Sequence, residues 1–236
     1  MHKASVIQAV FFDLGGTLFH HLPPDYTQSN LLEVLSRCGA PHSDEHVFHR
    51  YRQHRNQVER EHQFLAFFLH RGMVAQALQR TMADLELSCP AAATAFCDAQ
   101  RASVTEHLQL RADTLPTLTY LHDRGIYRAI VSNIDDDYIV PLMERTGLAE
   151  HVDAWISSER ARSCKPHPSI YQQAIDAAGV SPQQILFVGD SFTNDVVGAA
   201  RMGMQTAFIT ADHEPPHPRG ADFYIGSLRE LTEVVR

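Results

Sequence analysis

Residues 6–18 read VIQAVFFDLGGTL, and this stretch decides the fold. Its first seven residues are almost all apolar and β-prone, long enough for one strand, and they stop at Asp13 and the Gly15-Gly16 pair. A strand that is apolar along its whole length, not at alternate positions, is buried on both faces, as in parallel sheets covered by helices. The pattern recurs at residues 126–131 before Ser132-Asn133, at 154–156 with Trp155 in the core, at 185–188 before Gly189-Asp190, and at 206–209. Helical stretches alternate with these runs at 113–124, 136–146, 168–178 and 194–202, closed by Gly125, Gly147, Gly179 and Gly203. Asp135, Asp136 and Asp137 fall at one of the predicted helix starts, where negative charge favours the helix dipole. The alternation predicts an α/β fold with a Rossmann-like doubly wound parallel sheet, whose ligands bind at the carboxyl ends of the strands.

Residues 19–110 behave differently. They are rich in Gln, Glu, Arg, His and Leu, show no strand run, and carry a helix start at Ser43-Asp44-Glu45. We read them as an all-helical insertion, which divides the chain into a core domain of residues 1–18 and 111–236 and a helical domain of residues 19–110. The apolar stretch FLAFFL at 64–69 is expected to form a helix core within the insertion, or else to line a substrate pocket. Arg50, Arg52, Arg55 and Arg60 with His54 read as a solvated helix face balanced by Glu59 and Glu61, or as a small anion-steering patch. HEPPHPRG, residues 213–220, reads as a surface loop.

Composition bounds the function. With 20 Lys+Arg against 28 Asp+Glu, the 236-residue chain carries a formal charge of −8, which opposes general nucleic-acid binding. No apolar run approaches bilayer length and no signal peptide is visible, so neither a membrane nor export is implied. Cys38, Cys89, Cys97 and Cys164 form no metal-binding or redox spacing and read as reduced thiols of a cytoplasmic protein. There are only two lysines, Lys3 and Lys165, in a chain that otherwise uses arginine.

The strand ends carry the polar residues. They supply Asp13 with Thr17, Ser132 with Asn133, Lys165 with Pro166, and Asp190 with Asp195. Any one of these could be an ordinary turn residue. Together they read D-L-G-G-T-L, V-S-N, K-P-H-P and G-D-S-F-T-N-D, and in that order the chain resembles the haloacid dehalogenase (HAD) superfamily of hydrolases. The insertion after the first motif is similar, by position and composition, to the helical cap of subfamily I. Only 32 residues separate Ser132 from Lys165, too few for the larger α/β cap of other members.

The resemblance implies a Mg²⁺-dependent phosphohydrolase acting on a small phosphorylated molecule. Asp13 would be the nucleophile, forming an aspartyl-phosphate, with Lys165 pairing both with it and with the phosphoryl group. Thr17, Ser132 and Asn133, with Lys165, would bind the phosphate. Asp13, the Gly15 carbonyl and Asp190 would hold the metal, with Asp195 acting directly or through water. A phosphate ester repels an incoming carboxylate, so such a site needs positive charge beside both.

One residue departs from the family pattern. Phosphatases of the superfamily read D-x-D-x-T, with the second Asp serving as general acid and base, and Gly15 stands there instead. Dehalogenases lack the metal-binding G-D of the fourth motif, which this chain keeps as Gly189-Asp190. Members that form a Schiff base use a cap lysine, and residues 19–110 contain none. The alternatives left are a phosphatase for good leaving groups, one that borrows an acid from elsewhere, and a catalytically weak binding or regulatory relative. His20 or His21 could be such an acid, or simply a hinge histidine.

Overall fold

The computed structural model describes residues 6–39, 44–63, 65–210 and 219–235. Lys3, Ser43, Phe64 and residues 213–218 of the expected loop lie outside them. The chain forms two compact units, residues 1–21 with 109–236 and residues 22–108.

The first unit is built on six parallel strands: β1 (Ala9–Phe12), β2 (Tyr127–Ser132), β3 (Ala154–Ser157), β4 (Ile185–Gly189), β5 (Gln205–Ile209) and β6 (Phe223–Ile225). Their order is β3-β2-β1-β4-β5-β6, so β1 is bonded on one side to β2 and on the other to β4. After β3 the chain crosses back past β1 to lay down β4, which makes the carboxyl end of β1 the switch point of a doubly wound sheet. The apolar runs are fully buried, as both-faces burial requires: Ala9 to Phe12 and Ile185 to Val188 are all without exposure. Strand β6 adds a sixth member that the sequence reading lacks. Trp155 is only partly buried because β3 is an edge strand, and the Arg160 guanidinium lies 4.2 Å over its ring.

The second unit contains four helices, α1 (Pro24–Ser36), α2 (Asp44–His62), α3 (His70–Asp84) and α4 (Ala92–His107). They enclose their own core, with Leu31, Leu35, Val58, Leu78 and Phe96 essentially without exposure. Two arginines of α2 pair with acids, Arg55 with Glu59 at 2.8 Å and Arg50 with Asp84 at 3.9 Å, while Glu61 of α2 receives Arg80 of α3 at 2.6 Å. Residues 65–69 are not the helix expected of them. They join α2 to α3 as irregular chain with a bend at Ala66, Leu65 being exposed and Phe68 packed on the helical core.

Among the described residues the first unit adds the α-helices α5 (Thr114–His122), α6 (Asp136–Thr146), α7 (Ser158–Ala161), α8 (Pro168–Ala178), α9 (Gly198–Arg201) and α10 (Leu231–Val234). Helix α8 packs Ile170, Tyr171 and Ala174 onto the face of the sheet formed by Ala9, Phe11, Ala129, Val131, Ile185 and Phe187. Asp135 is the N-cap residue of α6, with Asp136 and Asp137 in its first turn. The expected helix at 194–202 begins earlier and differently, as a π-helical turn over Phe192–Val197 that runs into α9. No described helix is long and apolar enough to cross a membrane.

Candidate active site

Strands β1, β2 and β4 deliver Asp13, Ser132 and Asp190 to one end of the sheet, because parallel neighbours in register finish together. Asp13 follows β1, its N–H donating to the Val188 carbonyl at 2.9 Å. Its Oδ1 accepts from Ser132 Oγ at 3.0 Å and from Lys165 Nζ at 2.7 Å, so two donors fix the carboxylate. The same Lys165 Nζ donates to Asp195 Oδ1 at 2.6 Å and lies 5.2 Å over the Phe187 ring. Asp195 Oδ2 accepts the Ser191 N–H at 2.9 Å.

Asn133 does not turn toward the carboxylates. Its Oδ1 accepts the Lys165 N–H at 2.6 Å and its Nδ2 donates to the Lys165 carbonyl at 2.9 Å, so both ends of the amide brace the lysine's backbone. Thr17 is fully buried, and its Oγ1 has no hydrogen-bond partner among the described residues. A buried hydroxyl left unpaired costs on the order of 1–3 kcal/mol, so this one calls for an acceptor.

Two glycines make the acidic cluster possible. A Cβ at Gly16, whose φ is +75°, would lie 2.1 Å from Asp190 Oδ2 and 2.6 Å from His21 Nε2. A Cβ at Gly189 would lie 2.2 Å from Asp195 Oδ2. Gly15 is different: a Cβ there meets no atom within 4 Å, and its φ is outside the left-handed region.

Asp13, Asp190 and Asp195 each offer an oxygen within 4.8 Å of the others. Among the described residues Lys165 is the one lysine that touches this cluster, bridging Asp13 and Asp195, so the carboxylates outnumber the ammonium in a largely buried place. Burial opposes the charge on Lys165, but Asp13 and Asp195 outweigh it and hold the amine above the ordinary lysine range. Burial pushes the Asp195 carboxyl up to about 7, helped by Asp13 and opposed by Lys165. An all-oxygen donor set carrying excess negative charge is the environment a hard divalent cation completes.

Of the two histidines, His20 is exposed, and its backbone N–H donates to the Gln109 carbonyl at 2.9 Å. His21 Nε2 lies 3.0 Å from Asp190 Oδ2, and that bond holds the imidazole above the usual histidine range against the opposing effect of burial. In the sequence His21 is marked only by its place four residues after Thr17, where the chain leaves the core. Nothing in one sequence said which carboxylate the ring would meet.

The profile of the haloacid dehalogenase-like hydrolases matches residues 7–203 of this chain. A ribulose-1,5-bisphosphate 5-phosphatase of Halopiger xanaduensis is 27% identical over 96% of this chain and 98% of its own. A glyceraldehyde 3-phosphate phosphatase of Methanopyrus kandleri is 28% identical over 98% of each. In fold, the crystal structure of a HAD phosphatase from Thermococcus onnurineus superposes with a TM-score of 0.73 at 23% identity, covering 97% of this chain and 98% of that one.

Proposed function

The chain belongs to the haloacid dehalogenase-like hydrolase family, and we infer that within it this protein is a Mg²⁺-dependent phosphatase of a small phosphorylated metabolite, with Asp13 as its nucleophile. The observation that carries this is the bridge of Lys165 Nζ between Asp13 and Asp195. A binding protein has no need of a buried lysine that holds a buried carboxylate in one orientation.

Asp13 attacks the phosphorus, a carboxylate oxygen forming the new P–O bond while the bond to the leaving oxygen breaks and its electron pair departs with that oxygen. Water then cleaves the aspartyl-phosphate, returning the carboxylate and releasing inorganic phosphate. Lys165, with a third N–H beyond those on Asp13 and Asp195, donates to a phosphoryl oxygen while keeping Asp13 aligned, Ser132 turns its one O–H from Asp13 to the phosphoryl group when substrate binds, and Asn133 serves by fixing the lysine's backbone. A phosphoryl oxygen is the acceptor that Thr17 Oγ1 lacks. Asp13, Asp190 and Asp195, with the Gly15 carbonyl, would hold Mg²⁺, which supplies positive charge against the phosphoryl oxygens when bound.

Gly15 brings no acid to the leaving group, and the imidazole of His21 is engaged by Asp190. The enzyme therefore favours leaving groups that depart without a proton, acyl phosphates and activated esters above simple alkyl phosphates. The helical unit, inserted in the chain between β1 and β2, serves as the cap that selects the substrate. The thiols of Cys38, Cys89, Cys97 and Cys164 suit a reducing cytoplasm. Phosphate release from p-nitrophenyl phosphate and from an acyl phosphate, with Mg²⁺, tests this reading. Wild type should outpace Asp13→Asn on both, and equal rates would overturn the enzyme in favour of a binding or regulatory relative.

A further inference from the structure

The three carboxylates of the acidic cluster are not held alike. Asp13 is fixed by Ser132 and Lys165, and Asp195 by Lys165 and the Ser191 N–H. Asp190 is the most exposed of the three, its side chain 26% accessible. Among the described residues one group donates to its carboxylate, Nε2 of His21 at 3.0 Å. Resting on the metal reading above, the geometry points to His21 as a positioning residue for the metal: its ring N–H holds Asp190 Oδ2, so that the carboxylate presents its other oxygen toward Asp13 and Asp195.

Two features of the chain make this contact specific to it. The first is Gly16, since any Cβ at that position would fall on both Asp190 Oδ2 and His21 Nε2 and push the pair apart. The second is the location of His21 as the last residue of the first unit before the chain enters the helical one, a site with no packing duty: its side chain is 76% exposed. A side chain so open to solvent gains nothing from burial, which leaves the hydrogen bond as its contribution. Donation requires only a proton on Nε2, which both the neutral Nε2–H tautomer and the imidazolium carry. Partners that orient metal-binding carboxylates from outside typically change metal affinity by about 10–100-fold when removed, and the exposed setting puts His21 near the lower end.

The test is calorimetric titration of Mg²⁺ into the full chain freed of metal with EDTA, without substrate. His21→Ala and His21→Phe should weaken Mg²⁺ binding on the order of tenfold. His21→Gln, whose amide N–H reaches the same place as Nε2, should restore affinity to within about threefold of wild type. Thermal melts in EDTA should be unchanged in all three, since the side chain is exposed. If His21→Ala binds Mg²⁺ as tightly as wild type or more tightly, or if Gln fails to rescue it, the positioning role is overturned while the metal site stands. If wild type binds no Mg²⁺, or Asp190→Asn binds it as well as wild type, the metal reading itself falls, and this inference with it.

Discussion

At the scale of single residues, the lone core lysine matters most. Lys165 stands between two carboxylates in a place with almost no solvent, its side chain 2% exposed. Removing one partner of a buried ion pair strands the others, so Lys165→Met should cost about 3–5 kcal/mol in metal-free protein, measured by urea unfolding in EDTA, and should abolish phosphate release. Adjacent glycines should respond in opposite ways. The open space at Gly15 admits a carboxylate, and Gly15→Asp should raise turnover on alkyl phosphates by up to about 10²-fold while changing acyl-phosphate hydrolysis little. Gly16→Ala meets Asp190 and His21 and needs a left-handed backbone, so it should cost at least about 1 kcal/mol and weaken Mg²⁺ binding. The sequence told these residues apart by type but not by surroundings: Asn133 looked like a phosphate donor until its amide was found clasping Lys165's backbone.

Among the elements, the strands were legible and the irregular pieces were not, for physical reasons. A strand buried on both faces writes itself as a largely apolar run, which is why β1 and β4, and less cleanly β2 and β5, stand out in the sequence. Strand β6 has three residues at the edge of the sheet with Tyr224 38% exposed, too short and too wet to leave such a run. The π-helical turn at Phe192–Val197 hides because a single widened turn barely alters side-chain periodicity. Strand β2 also carries a buried polar residue amid its apolar ones, Arg128, whose Nε and Nη2 donate to Asp153 at 3.1 and 3.0 Å just before β3. Burial alone would raise the Asp153 carboxyl, but the Arg128 bonds prevail and its pKa is lowered. A carboxyl depressed in the folded state stabilises above its unfolded pKa and loses that contribution as pH falls through the folded value. Asp153→Asn should therefore be less stable than wild type at pH 6, with the gap closing below about pH 4, as followed by urea unfolding across pH.

For the whole molecule, the site exists only when four distant stretches of chain have met. The three carboxylates that meet there repel one another beyond what Lys165 can balance, so a cation that binds the folded state alone should stabilise it. At 100 times its dissociation constant, Mg²⁺ should add about 2.7 kcal/mol and raise the melting temperature by roughly 5–10 °C, an increase that Asp190→Asn should lack. The inserted helices bury a core of their own, and the sequence changes composition abruptly where they begin.

The strand order has one more consequence. Of the strands that bear the carboxylates, β1 lies two places in from one edge and three from the other, bonded along its length to a neighbour on each side. Local openings of a sheet begin at its borders, so amide protons of Ala9 to Phe12 exchange with solvent only when the structure opens nearly as a whole. Asp13, the proposed nucleophile, is the residue that follows them. Breathing at β3 or β6 should leave its backbone anchored, and the proposed reacting carboxylate is expected to sit beside amides that exchange only on near-global opening.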